Sequence, residues 1–387
     1  MRKMMILAYI LLILSGCSHI KEIQFQSYAV GLGMDYKDDE YHVVLQFLDF
    51  SNVAKTEQGK SADPSPVWLA TGKGKTIEEA FTKIYQGIQI PINFDQLSIF
   101  IFGKSLLENR LSKTLQALDT NFNVRLTGST YGTEESIEEI FTTKLPFYYA
   151  FSNARVMQPE QMQQQDSAVP AISLQELLYQ FNEKTKTILL PNISIEDAII
   201  KRDLKSLPVS TIKGAFIMKG EKMKGLLNEK DLNGFVRMNN KAVRSPVTLS
   251  EDQVGEKEFV QVEVLKPKVK RTVKKEGSDV QIGLDLRVSA IIRESSHEID
   301  SSLIKKKIKE EIRSEVYTAY LKSRELGGDI YQFEDYLYRF MHDDWREFQS
   351  NGNFPVLKKK DIQVKIDPLK SINKVNSTIT PLFNKVD

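Results

Sequence analysis

Cysteine occurs once in 387 residues, at Cys17. A disulfide within the chain is thereby excluded, and the folded part must be held by its own cores. Histidine is nearly as scarce: His19, His42, His297 and His342 are scattered without metal-ligand spacing. His342 stands beside Asp343 and Asp344, but consecutive helical positions point in different directions, so a solvated polar face is expected there. Net charge is lacking too. The chain carries 53 basic and 51 acidic residues, and removing Arg2 and Lys3 with a leader leaves 51 of each sign. That balance gives no whole-chain electrostatic reason to bind nucleic acid. Beyond Leu14 no apolar run approaches the roughly 20 residues of a membrane span, so a water-soluble body is expected.

Catalytic constellations are missing as well. Gly31 and Gly33 begin a GxG after a strand, but the next required glycine position holds Tyr36 and no helix pattern opens there. Gly74-Lys75-Thr76 looks like the end of a P-loop whose first glycine would fall at Leu69; a Thr N-cap accounts for it better. Ser, Asp and Glu are plentiful but form no nucleophile motif. No catalytic residue, metal site or cofactor is assigned, and an enzyme is not expected.

What is present begins at the N-terminus. Arg2 and Lys3 precede an apolar stretch from Met4 to Leu14, too short to cross a membrane and suited to a signal peptide. Leu14-Ser15-Gly16-Cys17 then has the shape of a bacterial lipobox. Small side chains admit the backbone to a peptidase, and the Cys17 thiol is the nucleophile that can carry a diacylglycerol thioether. Two acyl chains hold a protein stably on a membrane. Lipidation of Cys17 is the expectation; the competing readings are a secretory signal with an incidental cysteine, or an uncleaved anchor.

The rest reads as α+β, in three domains behind the signal: 1–16 signal peptide, 17–195 an N-terminal α/β domain, 196–266 a small middle α+β domain, and 267–387 a C-terminal α+β domain. Each is expected to hold a mixed or antiparallel sheet with flanking helices. Ser18 to Glu22 is a polar leader. Residues 26–36 and 40–50 read as a hairpin turned at Lys37-Asp38-Asp39, and Asn52 to Pro66 as a loop. A strand to Lys73 precedes a helix at Thr76, where Glu79 completes capping-box spacing. Helices are expected over Lys104–Leu118, over Glu134–Phe141 started by Thr133, and from Ser173; strands over Leu97–Phe102, Val124–Tyr131 and Ile188–Ile195. The glutamine-rich stretch from Met157 to Pro170 reads as a linker.

Thr211–Lys219 and Lys222–Leu227 read as strands joined through Gly220, with Asn228 capping a short helix. Pro267 cannot donate to a ladder and marks the next boundary. Two strands turned at Gly277 lead to a long helix from Ser301, with Ile304, Ile308, Ile312, Val316 and Tyr320 on its buried face and Gly327-Gly328 stopping it. The charged residues from Lys305 to Arg313 are expected on its solvated side. A second helix over 330–348 places Phe333, Leu337, Met341 and Trp345 on one face, and Val356–Ile366 closes the domain as a strand.

These segments, in this order, resemble the Ger(x)C family, the lipoprotein C subunits of nutrient germinant receptors in endospore-forming bacteria. The lipobox at Cys17 leads into YAVGLGMD (Tyr28 to Asp35), similar to the family's first strand and its glycine-containing bend. Gly214 to Phe235 is similar to its middle pattern, Glu258 to Lys270 to the strand pair before its C-terminal domain, and Asp344-Trp345 with Asn353-Phe354-Pro355 to its final helix and strand. Ser18 and His19 depart from the Trp-Asp pair that often follows the family's cysteine. The resemblance implies a lipid-anchored, non-enzymatic subunit on the outer face of the spore's inner membrane, acting with polytopic A and B subunits to trigger germination. It brings no catalytic residues and does not itself imply direct nutrient contact. The alternative is a membrane-anchored solute-binding lipoprotein with a cleft between domains; a lipoprotein hydrolase has no constellation to support it.

Overall fold

The structure, a computed structural model, describes residues 26–48, 66–120, 124–149, 151–159, 169–239, 245–249, 259–277, 279–295 and 300–371. The signal 1–16, Cys17, the polar leader, His19, His297, and most of the 52–66 loop and the glutamine-rich stretch lie outside these residues.

β1 (Ser27–Lys37) and β2 (Glu40–Phe47) form the expected hairpin. Asp38 and Asp39 both take positive φ, 53° and 61°, the two-residue turn whose twist suits antiparallel strands. β3 (Trp68–Gly74) pairs with β2, and α1 (Ile77–Gly87) follows. At its start the Glu79 N–H donates to Thr76 Oγ1 at 3.1 Å and the Lys75 N–H to Glu79 Oε2 at 2.9 Å, so the Gly-Lys-Thr turn is a helix cap. After β4 (Ile92–Asn93), β5 (Ile99–Gly103) is buried on both faces, with Phe100 and Phe102 to one side and Ile99 and Ile101 to the other.

The helix expected over 104–118 is two, α2 (Lys104–Asn109) and α3 (Leu111–Thr120). Between them Arg110 leaves helical geometry, and its guanidinium sits 4.4 Å from the Tyr36 ring centroid and donates to the Tyr36 hydroxyl at 2.9 Å. β6 (Ser129–Thr133) precedes α4 (Ile137–Thr142), which is capped by Ser136 and not by Thr133: Ser136 Oγ accepts from the Glu139 N–H at 3.2 Å, whereas Thr133 is still in β6, where its hydroxyl donates to the Ile193 carbonyl at 2.9 Å and accepts from the Glu135 N–H at 3.0 Å. β7 (Ile172–Ser173), α5 (Leu174–Phe181), β8 (Thr187–Glu196), the small hairpin β9 (Lys201–Arg202) and β10 (Lys205–Ser206), β11 (Val209–Lys219) and β12 (Lys222–Leu227) complete the first half.

Apart from the β9–β10 hairpin, these strands make one ten-stranded sheet in the order β12-β11-β8-β6-β5-β1-β2-β3, with β4 and β7 pairing beside β1 and β6. Its centre, β8-β6-β5-β1, is parallel, and antiparallel strands extend both sides. α1, α2, α3 and α5 cover one face and α4 the other.

α6 (Asn233–Met238) and β13 (Ser245–Leu249) lead to two 17-residue strands, β14 (Val260–Glu276) and β15 (Asp279–Ser295). Then come α7 (Ser301–Glu325), α8 (Phe333–Phe340), α9 (His342–Asn351) and β16 (Ile362–Ser371). The second sheet is β13-β14-β15-β16, with β16 parallel to β15. α7 covers one face through Ile304, Ile308, Ile312, Val316 and Tyr320, the face expected from their spacing. The second helix is broken at Met341, and no residue of α9 is buried; Trp345 packs on Tyr338 and His342 instead of reaching the core.

Residues 196–266 divide between the two sheets. A two-stranded hairpin is marginal alone, and β11 satisfies its backbone by adding to the edge of β8, while β13 and the start of β14 join the second sheet. Pro267 does not end a strand. It lies in a bulge of β14, between the pairs Leu265–Ser289 and Lys268–Arg287, where a missing N–H breaks no ladder bond.

α6 packs against α7 so closely that a Cβ at Gly234 would stand 2.3 Å from the Glu315 carbonyl oxygen. Nearby, the buried Arg237 guanidinium pairs with both Glu315 carboxylate oxygens and donates to Ser245 Oγ at 2.6 Å. Because that carbonyl is backbone and cannot swing aside, Gly234→Ala should destabilise the protein by about 2 kcal/mol. Gly87→Ala, with open space around it, should change stability by no more than about 0.5 kcal/mol. Urea unfolding of the two variants checks the contrast.

Candidate functional site

The two sheets meet where the start of β8 receives the loop between α7 and α8. α7 stops at Gly327 and Gly328, and the chain turns back through Asp329 to Gln332, whose φ of 59° aims the next helix at β8. The Gln332 side-chain amide then does what a neighbouring strand would. Its Nε2 donates to the Thr187 carbonyl at 2.5 Å, and its Oε1 accepts from the Thr187 N–H at 3.2 Å. The Asp329 N–H donates to Thr187 Oγ1 at 2.9 Å, and Asp329 Oδ2 accepts from the Glu334 N–H at 2.7 Å.

In the first turn of α8, Asp335 is buried and collects three partners from two directions. The Thr185 hydroxyl donates at 3.0 Å, Lys186 Nζ lies at 2.8 Å, and Arg339 Nε donates to both carboxylate oxygens at 3.1 Å. Arg339 also reaches Glu183 at 3.2 Å, and Lys219 at the end of β11 pairs with Glu334. Burial raises the Asp329 carboxyl above its ordinary value, with the Glu334 N–H and the nearby Lys219 opposing. Burial pushes Asp335 the same way, but Lys186, Thr185 and Arg339 together outweigh it and hold that carboxyl below its ordinary value.

Beside this junction lies a cavity of about 400 Å³ lined by apolar groups such as Leu189 and Phe235 and by Glu176, Gln180, Arg271 and Gln332. Arg271 is held by donating from Nε to the Tyr331 carbonyl. A mixed lining with a guanidinium and a carboxylate can hold a small polar solute.

The segments singled out in the sequence have structural places. Gly31 and Gly33 let α4 approach β1: a Cβ at Gly33 would stand 2.2 Å from Ile137 Cγ2, and one at Gly31 2.9 Å from the Phe141 ring. Asp35 accepts from the Tyr36 N–H at 2.8 Å and, at the start of α2, from the Leu106 N–H at 3.3 Å. The glycines thus serve packing, and no phosphate-binding turn follows them. His42 lies on β2; His342 stacks on Trp345 with ring centroids 5.5 Å apart. Among the described residues no three His, Cys, Asp or Glu side chains group as metal ligands, and no helix is long and apolar enough to cross a membrane. The structure brings none of the sequence-selected residues to the junction. Thr187, Gln332 and Asp335 stand in no motif; the only local signal was the Gly327-Gly328 stop just before Asp329.

Asp335 titrates with a lowered folded value, so its contribution is present above the ordinary carboxylate value of about 3.9 and is lost as pH falls through the folded value. Asp335→Asn should therefore cost about 2 kcal/mol at neutral pH, and the gap to the parent should close in strong acid. Denaturant unfolding at both pH values checks this; a gap that persists in acid would contradict it.

Comparison with known proteins places the chain among spore germination proteins. The family model described as the spore germination protein N-terminal domain matches residues 19–195, and that for the spore germination B3/GerAC-like C-terminal region matches residues 213–374. Spore germination protein B3 of Bacillus subtilis (strain 168) is 28% identical over 109 residues, 28% of each chain. Spore germination protein A3 of the same strain is 28% identical over 101 residues, 26% of each. These matches span about a quarter of the relatives' length. The crystal structure of the GerBC protein aligns over 89% of this chain and 97% of its own, at 14% identity and a TM-score of 0.48.

Proposed function

The chain belongs to the Ger(x)C family of spore germination proteins, and on that premise we propose that it is the lipid-anchored, non-enzymatic C subunit of a nutrient germinant receptor. The observation that carries the reading is the ordered match of both family regions along almost the whole chain, directly after a lipobox ending in Cys17. The diacylated Cys17 holds the body on the outer face of the spore's inner membrane. Confinement to a thin shell above the bilayer raises its effective concentration for the polytopic A and B subunits, so modest contacts suffice to assemble the receptor. Such a subunit shifts the receptor toward its active state only by contacting the two states differently. A body whose sheets are joined by buried ion pairs presents those contacts in fixed geometry.

The junction cavity favours a second reading, capture of a small polar solute between Glu176 and Arg271. One experiment separates the two. The tagged protein is recovered from dormant spore membranes, and its partners and N-terminal peptide are identified by mass spectrometry. The receptor reading expects polytopic receptor subunits and a lipid-modified Cys17, with Cys17→Ala losing most membrane retention and slowing the nutrient response. An unmodified N-terminus without such partners, together with saturable calorimetric binding of an amino acid or sugar, would replace it with solute capture.

A further inference from the structure

The face of the second sheet turned away from α7 is exposed and basic. Lys268 on β14, Arg287 on β15 and Lys365 on β16 are register neighbours, a row of three cations across three adjacent strands. Strands in a sheet lie about 4.8 Å apart, and like charges directly opposite one another are destabilising. None of the three forms an ion pair with a described residue. No close ion pair within the described chain neutralises the row; Asp285, two residues along β15 from Arg287, stands opposite a further cation, Lys270, so cations still outnumber carboxylates here and an external anion would relieve the remaining repulsion.

Just beside this row both ladders of β15 are bulged at the same level. On one side Lys266 and Pro267 stand opposite the single residue between Arg287 and Ser289; on the other, Asp367 and Pro368 stand opposite the single residue between Val288 and Ala290. Bulges bend the strand that carries them. The two together open a groove of about 490 Å³ floored by Ser289 and Ala290, where Lys266, Lys268, Arg287 and Lys370 face one carboxylate, Asp367. Half-buried Leu265 and Ile291 lie among the cations. The whole chain is close to electroneutral, so this concentration of positive charge is local and one-sided.

We propose that this face binds phosphate-bearing headgroups of anionic lipid and lays the second sheet against the membrane. The groove is shallow, its cations come from extended strands and not from converging buried donors, and apolar side chains interrupt them. That arrangement fits a plane of closely spaced, laterally mobile anions better than one enclosed anion. Cations held within a Debye length of an anionic surface each add to the attraction, and salt weakens it. The inference rests on the membrane location proposed above, but its chemistry needs no acyl chain, so the two can fail separately.

The test uses the chain from residue 17 with Cys17→Ala, which keeps every described element and carries no anchor. It is co-sedimented with vesicles of phosphatidylcholine alone or with about one-third phosphatidylglycerol. Partitioning should be at least about ten-fold stronger onto the anionic vesicles and should fall as salt is raised. The double reversal Lys268→Glu/Arg287→Glu should remove at least about ten-fold of it, whereas Lys306→Glu, on the exposed side of α7, should change it less than about two-fold. If the double reversal fails to fold by circular dichroism, Lys268→Gln/Arg287→Gln takes its place and should still lose about three-fold. Equal partitioning onto both vesicle types, an unchanged folded variant, or an equal loss in Lys306→Glu would overturn the proposal. So would full displacement by inorganic phosphate at about 10 mM with ionic strength held constant, which would assign the groove to free phosphate.

Discussion

Two carboxylates taken out of water where the sheets meet, Asp329 and Asp335, set the terms for the rest of the molecule. Removing such groups from water costs several kcal/mol each unless partners compensate. For Asp335 the partners come from both halves, Lys186 and Thr185 just before β8 and Arg339 from α8; the Asp329 carboxylate accepts from the Glu334 N–H of α8, while the Asp329 N–H donates across to Thr187 Oγ1 at the start of β8. Separating the sheets would strip Lys186 and Thr185 from Asp335 and leave the Asp329 and Thr187 N–H groups unpaired, which makes the pairing of the two halves more stringent than apolar contact alone.

That constraint is reinforced by close approach elsewhere. Leu189, Ala215, Ile217 and Leu227 of the first sheet belong to the same buried cluster as Ile312, Val316 and Tyr320 of α7. Gly234 brings α6 onto α7, and Gly33 brings α4 onto β1. Each glycine lets backbones or a helix face come within a distance that a side chain would forbid. The free face of the second sheet is the counterpart: α7 occupies one side, leaving the other with its cations exposed.

Much of this was legible in the residues, where the relevant physics is local. The Asp38-Asp39 turn, the Thr76 cap, and the four-residue repeat from Ile304 to Tyr320 each depend on near neighbours, and each has its expected place. The helix breaks at Arg110 and Met341 were not legible, because the first is tied to Tyr36, 74 residues away, and the second redirects Trp345 to an aromatic cluster. Pro267 misled for the same reason: whether a proline ends a strand or occupies a bulge depends on the opposing strand. The junction was hidden altogether, since Gln332 meets Thr187 across 145 residues and no periodicity marks either. Cys17 is the reverse case, a chemical site read from sequence order and lying outside the described residues.

The buried polar junction makes the two sheets one cooperative body. Native-state hydrogen exchange of the full mature chain tests it most directly, by comparing amides of β8 with those of α7 and α8. A shared opening free energy for both sets, falling together when Thr187→Val removes the hydroxyl that meets the Asp329 N–H, is the predicted result. Separate opening energies, with α7 and α8 unaffected by that change in β8, would contradict it.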